Sequence, residues 1–373
     1  DTSRCSTSGV SSQSFSEPHI PADNTKMYFE ELRQNLKACI LSKKPDVSLS
    51  KIAGNENLKN MIRDSLKLPR QFPHLFQGEK PTPWNKVLLY GPPGVGKTSI
   101  IQAVCNEIDA TCFWVSVADV TSKFIGESEK LLRLLFELAK EYAPSIILID
   151  EMDSIGRKRN GQESETERRI KTEFLRQMDA LQGSQEVYVF ATTNMPWELD
   201  IAALKRFNRR LLVSLPDSQT RAEIFQMHAG DNHELTPRDL ERLAKLTEGY
   251  SGSDICTAIN EALMKPIKKL TNATFFKRIL VKEEDERYVW ICSTEKDPAA
   301  EAKKLDQIPK ESLQIPKATF EDFKAAIQNC RPTVHPSFIE LYRKFMEKYG
   351  HEDQKEYYQK SEHLPKPNLT YFT

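Results

Sequence analysis

The sequence predicts an α/β fold: a parallel sheet covered by helices, followed by a small helical domain carrying a β insertion. Three observations carry this. Between residues 49 and 205, compact apolar runs at 87–90, 112–117, 146–149 and 187–192 alternate with helical stretches such as 131–139 and 169–181. Strands that are apolar on both faces belong in a parallel sheet with helices on either side. From 221 to 270 the period becomes wholly helical, with Ile255, Ile259 and Leu263 four residues apart, and from 275 to 317 it breaks at Arg287-Tyr-Val-Trp-Ile-Cys292 and three prolines.

The elements follow in order. Seven of the first twenty residues are Ser, so 1–26 reads as a disordered linker that cannot bury enough apolar surface to offset its ordering entropy. Phe29, Leu32, Leu36, Ile40 and Leu41 recur at helical spacing and Pro45 stops them, giving a linker helix within 27–48. A large α/β domain spans 49–216. A small helical domain spans 217–350, with the β insertion at about 275–317 and a last helix at 338–349. Residues 351–373 form a polar tail.

Composition narrows the function. The 373 residues suffice for two domains. The 53 Lys and Arg balance 53 Asp and Glu, a net charge of zero that weighs against a nucleic-acid binder. No apolar run approaches the roughly 18 residues of a membrane-spanning helix. Seven scattered cysteines without a Cys-x-x-Cys suit neither a disulfide framework nor zinc, and point to a reducing cytosol. The chain begins at Asp1 rather than Met, which reads as a fragment or a processed chain.

Gly91-Pro92-Pro93-Gly94-Val95-Gly96-Lys97-Thr98 follows the strand at 87–90 and opens a helix near Thr98, the setting of a P-loop. Its glycines let backbone N–H groups and the helix N-terminus meet the phosphates of a nucleotide. Lys97 reaches the β- and γ-phosphates, and the Thr98 hydroxyl ligates Mg²⁺. Ile146-Ile-Leu-Ile-Asp150-Glu151 is a buried strand ending in two carboxylates, where Asp150 serves the Mg²⁺ site and Glu151 polarises the attacking water as general base. Asn194, at the end of the strand 187–193, either orients that water or caps a turn before Met195-Pro196. Lys205-Arg206-Phe-Asn-Arg-Arg210 is either a solvated charge run or the source of an arginine finger for a neighbouring subunit.

This order of motifs resembles the AAA ATPases, and among them the vacuolar protein-sorting ATPases that disassemble ESCRT-III filaments. The resemblance covers about residues 45–350 and rests also on Phe72-Pro-His-Leu-Phe76, Ser122-Lys-Phe-Ile-Gly-Glu-Ser-Glu-Lys130, Met195-Pro-Trp-Glu-Leu-Asp200, Gly249-Tyr-Ser-Gly-Ser-Asp254 and Arg331-Pro-Thr-Val334. Several of these segments are shared with katanin and spastin, the microtubule-severing relatives. The insertion at 275–317 and the helix after Arg331-Pro-Thr resemble the sorting ATPase instead.

The resemblance implies an ATP-hydrolysing unfoldase that threads ESCRT-III subunits through a homo-hexamer pore. It implies a cytoplasmic protein recruited to endosomal membrane through its partners, with the recruiting N-terminal domain of the family outside this chain. Ala53 and Gly54 match the segment beside the adenine, and Gly252 and Ser253 the helix start on its other side; Ser99 closes the nucleotide-binding run. Phe124, flanked by Lys123 and Ile125, matches the first pore loop, with an ordinary core Phe as the other reading, and 161–168 matches the second. Three residues depart from the family: Phe124 stands for Trp, Lys205 for Arg and Lys51 for Asp. Lys lacks the bidentate fork of Arg, so Arg206 is the preferred finger over Lys205. A severing ATPase and a nucleotide-gated scaffold without turnover are the competing readings.

Overall fold

Short strands with apolar residues on both faces are stable only between two helical layers. The computed structural model describes residues 33–34, 47–76, 83–107, 110–116, 128–156, 165–181, 186–282, 287–309 and 312–351. Its main sheet contains β1 (Lys86–Tyr90), β2 (Thr111–Ser116), β3 (Ser145–Asp150), β4 (Val187–Thr193) and β5 (Arg209–Leu212). All neighbours run parallel, in the order β2-β3-β4-β1-β5.

Alternation along each strand divides the core in two. Val87 and Leu89 of β1, with Ile146 and Leu148 of β3, pack on one face beneath α1 (Glu56–Gln71) and α2 (Lys97–Glu107). Leu88 and Tyr90, with Ile147 and Ile149, pack on the other beneath α3 (Ser128–Glu141) and α4 (Glu165–Ala180). Both α3 and α4 start earlier than the apolar period alone indicates. Their added first turns hold Glu129, Glu165 and Glu167, carboxylates that suit a helix N-terminus.

The small domain is built from α5 (Ser218–Ala229), α6 (Pro237–Leu246), α7 (Gly252–Asn272) and α8 (Phe320–Asn329) around Phe225, Leu243, Ile255, Ile259 and Phe323. Capping boxes start three of them: Thr236 with Asp239, Ser251 with Asp254, and Thr319 with Asp322. The insertion is an antiparallel sheet of β6 (Phe275–Lys282), β7 (Arg287–Ser293) and the two-residue β8 (Glu301–Ala302), in the order β7-β6-β8. Leu270, Phe276 and Ile308 form its core.

Two expectations need correction. Arg209 and Arg210 are not part of a merely solvated run, because they begin β5. The Arg209 guanidinium lies 3.6 Å from the centre of the Trp84 ring, and Arg210 Nε donates to Tyr349 O at 2.8 Å, so long stems and satisfied head groups replace the apolar side chains expected of a strand. The last helix, α9 (Pro336–Tyr349), is grouped by sequence with the small domain, yet it packs into the large domain's core. Tyr342, Phe345 and Met346 bury one face of α9 against Tyr90 and Trp197, and Tyr349 extends that face. The linker at 1–26, all but His351 of the polar tail at 351–373 and all but Arg33 and Gln34 of the segment expected as a helix at 27–41 lie outside the described residues.

Candidate active site

Three parallel strands deliver their C-terminal ends to one edge, where an open sheet places its ligands. Tyr90 of β1 pairs with Thr193 of β4, and Ile149 of β3 pairs with Ala191 of β4. The loop at 91–96, the pair Asp150-Glu151 and Asn194 therefore emerge side by side.

The loop geometry requires glycine at two places. Gly91 has φ +153° and passes so close to the residue that follows β5 that a Cβ would sit 2.1 Å from Val213 O. Gly94 has φ +76°, and a Cβ there would lie 2.7 Å from Ser251 Oγ and 2.8 Å from Ser253 Cβ. Ser253 N donates to Gly94 O at 3.0 Å, so the loop meets the start of α7 backbone to backbone, with the Ser251 and Ser253 side chains beside it.

Lys97, the first residue of α2, is buried. Its ammonium donates to Gly91 O at 2.9 Å, Pro92 O at 2.7 Å and Asn194 Oδ1 at 2.7 Å. Burial lowers its pKa to about 8, against the opposing pull of Asp150 and then Asp153. Thr98 Oγ1 donates to Asp150 Oδ2 at 3.2 Å, and Asp150 Oδ1 accepts from the Thr192 hydroxyl and from Glu151 N at 3.1 Å. A hydroxyl and a carboxylate held this close are the hard oxygen donors that suit Mg²⁺.

Glu151 is exposed at the cleft and has φ +54°, a left-handed conformation that costs a non-glycine residue roughly 1–2 kcal/mol. Met152 N donates to Thr192 O at 2.8 Å, anchoring the turn that points Glu151 outward. Strain of this kind concentrates where a side chain is needed in one place.

These groups line a cleft of about 660 Å³ between the two domains. Pro93, Gly94, Val95, Gly96, Lys97, Thr98, Ser99, Asp150, Glu151 and Asn194 form its large-domain wall, and Gly252 and Ser253 its small-domain wall. Ala53 lines it as well. Gly54 stands behind, with φ +66° and packed on Thr220. Gly91 and Pro92 do not line the cleft but accept the Lys97 ammonium from beneath. Arg206 and Lys205 lie outside it; Arg206 is paired with Asp179 and Lys205 is exposed. Lys123, Phe124 and Ile125 fall outside the described residues, as do 161–164, while 165–168 form the first turn of α4.

Sequence reasoning misses Val47, Ile52, Ile224, His228 and Cys256 in the lining of the cleft. Ile224 and His228 are four apart on α5 and share a face, a signal legible only once that face is known to meet the cleft. Thr192, which accepts and donates around Asp150, reads in the sequence as an ordinary strand residue.

Comparison with known proteins identifies the family. The model described as "ATPase family associated with various cellular activities (AAA)" matches residues 87–215, an AAA+ lid domain matches 238–277, and a Vps4 C terminal oligomerisation domain matches 290–350. Vacuolar protein sorting-associated protein 4A of Rattus norvegicus is 39% identical over 332 residues, covering 87% of this chain and 76% of that protein. A katanin p60 ATPase-containing relative from Danio rerio is 41% identical over 250 residues, covering 65% of this chain and 51% of that protein. The crystal structure of the FIGL-1 AAA domain in complex with ADP superposes with a TM-score of 0.68 at 35% identity, over 86% of this chain and 97% of that one. The chain is an AAA ATPase and belongs to the vacuolar protein sorting-associated protein 4 family.

Proposed function

We propose that the protein is an ATP-driven unfoldase of vacuolar sorting that draws ESCRT-III subunits out of their polymers, acting as a homo-hexamer in the cytoplasm and meeting the endosomal membrane only through its partners. The observation that carries this is the pairing of a complete nucleotide cleft with a Vps4-type C-terminal oligomerisation region at 290–350. The katanin match spans a smaller share of both chains, so microtubule severing is the weaker reading. Convergence of Lys97, Asp150, Glu151 and Asn194 on one cleft speaks against a scaffold without turnover.

The mechanism follows from the residues. Backbone N–H groups of 94–96 and the N-terminus of α2 cradle the ATP phosphates, and the Lys97 ammonium, pre-aimed by Gly91 O, Pro92 O and Asn194 Oδ1, exchanges those acceptors for phosphate oxygen. Thr98 and Asp150 would hold Mg²⁺, which when bound neutralises charge developing on the β- and γ-phosphates. Glu151, turned outward, takes the proton of the attacking water, and Asn194 orients that water. Arg206 of a neighbouring protomer reaches the γ-phosphate, with Lys205 beside it, so hydrolysis waits on assembly. Lys123, Phe124 and Ile125 grip the extended substrate chain in the pore. Adenine lies between Ala53-Gly54 and Gly252-Ser253.

The test is capture by a Glu151→Gln trap of the full-length protein in ATP. ESCRT-III subunits in the eluate support the proposal, whereas tubulin in their place overturns it.

A further inference from the structure

The C-terminal helix reaches the nucleotide site. Tyr342 of α9 is buried and its hydroxyl donates to the backbone carbonyl of Asn194, the residue whose side chain accepts from Lys97 at 2.7 Å. The same Tyr342 ring lies 5.0 Å from the ring of Trp197, three residues beyond Asn194 in the one-turn helix Pro196–Glu198. Tyr342 thus holds both ends of the tetrapeptide 194–197, by a hydrogen bond at one end and an aromatic contact at the other. Burial raises the Tyr342 pKa above its ordinary 10, with the charge of Asp153 adding to the effect, so the phenol stays a donor at any working pH.

The segment leading into α9 is tied to the opposite wall of the cleft. Thr333 donates twice to Asp254 Oδ2, from N at 3.3 Å and from Oγ1 at 3.2 Å. Asp254 is the carboxylate that caps α7, whose first residues Gly252 and Ser253 line the small-domain wall. Residues 333–342 therefore connect the two walls of the nucleotide cleft by a path separate from the chain crossing at 213–218.

We infer that Tyr342 is a positioning residue for ATP hydrolysis: its hydroxyl fixes the Asn194 peptide, and through it the aim of the Asn194 amide, while Thr333 ties that adjustment to the placement of α7. The inference rests on the reading of Asn194 as part of the hydrolytic site. Its physical basis is the steep dependence of catalysis on placement, where an error of about 1 Å can cost on the order of 100-fold. A phenol that fixes one carbonyl controls a fraction of that.

The experiment uses the full chain and four variants: Tyr342→Phe, Asn194→Ala, their combination, and Phe338→Ala. Phe338 lies against the same Trp197 ring, centroids 6.0 Å apart, and having no hydroxyl carries no hydrogen bond to Asn194, and so controls for packing. Tyr342→Phe keeps the ring and removes only the donor. We expect its kcat to fall roughly 10-fold, with KM and fluorescent ADP affinity unchanged. The combined variant should be no slower than Asn194→Ala alone, and Phe338→Ala should stay within two-fold of the parent. Parental kcat in Tyr342→Phe beside a slow Asn194→Ala overturns the inference and leaves the site intact. Independent, multiplying losses in the combined variant, or an equal loss in Phe338→Ala, reduce Tyr342 to packing and overturn it too. Parental turnover by Asn194→Ala removes the site reading itself, and the inference with it.

Discussion

Arg206 and Asp179 form a two-pronged pair within one protomer, Nε to Oδ1 at 3.2 Å and Nη2 to Oδ2 at 3.0 Å, while Arg206 Nη1 donates to Ala202 O at 2.9 Å. Each guanidinium nitrogen has a partner in its own chain, so an Arg206 that serves the next protomer's nucleotide must exchange Asp179 for phosphate. Asp179 is more than half exposed, and such pairs contribute less than about 1 kcal/mol. The exchange is therefore cheap. Asp179→Ala should leave the melting temperature nearly unchanged. Arg206→Ala should lower kcat at least ~100-fold, since trans arginines supply 10³ to 10⁵ in other nucleotidases, without weakening fluorescent ATP binding to the isolated protomer. Mixed assemblies of Arg206→Ala with Glu151→Gln should recover hydrolysis where an intact Glu151 faces an intact Arg206. Lost binding in the isolated protomer would place Arg206 in cis.

Glu151 combines exposure with a left-handed backbone. Glu151→Gln keeps shape and removes the proton acceptor, so ATP should remain bound while turnover falls at least ~100-fold. Glu151→Gly should also lose turnover yet gain up to about 1 kcal/mol of stability, because glycine adopts this φ without strain. Thermal melts read beside ATPase assays separate the two effects.

Gly94 is the contact between the phosphate loop and α7. A methyl group there meets Ser251 Oγ at 2.7 Å and Ser253 Cβ at 2.8 Å, on a backbone of φ +76°. Gly94→Ala should cost at least ~1–2 kcal/mol in strain and push the two walls of the cleft apart. Fluorescent ADP titration should show the affinity falling more than tenfold; parental affinity would mean that the domains do not meet through this residue.

In the insertion, Asp297 accepts from Lys277 Nζ at 2.8 Å, from Ala299 N at 3.1 Å and from Ser293 Oγ at 3.0 Å. The Lys277 hydrogen bond first, then the Ala299 and Ser293 donors, hold its pKa down to about 2. A free Asp titrates near 3.9, so the folded value is the lower one. The contribution to stability is then complete above about pH 4 and is lost as pH falls toward 2. A carboxyl-carbon NMR titration should find a midpoint near 2 that moves upward in Lys277→Ala.

If Phe124 grips the substrate as proposed, Phe124→Ala should abolish release of ESCRT-III subunits while ATP still binds, because no nucleotide-binding role is assigned to it. Phe124→Trp should retain release, since both rings present a flat apolar face. Sedimentation of ESCRT-III polymers in excess ATP reads the outcome, and normal disassembly by Phe124→Ala would remove the threading mechanism's main support.

What can be read in advance follows from how local each signal is. Lys97, Thr98, Asp150 and Glu151 are legible because glycine spacing and a strand ending in carboxylates are encoded within a few residues, and the sheet order then brings them together. Tyr342 is not, because its meaning lies in a carbonyl 148 residues away. His228 and Cys256 reach the cleft only through the docking of α5 and α7. β5 is hidden by Arg209 and Arg210, whose charge masks the strand that their stems and hydrogen bonds allow.

Because α9 completes the core that Tyr90 and Trp197 begin, the large domain is discontinuous in the chain, with the whole small domain inserted between its parts. Translation is vectorial, so a nascent chain that has already produced Lys97, Thr98, Asp150 and Glu151 still leaves part of that core open to solvent. That core is closed only once residues 336–349 have emerged and docked. Premature termination anywhere in the small domain yields a protein with its phosphate loop intact and its interior exposed, a species for chaperones and proteases rather than a partly working motor.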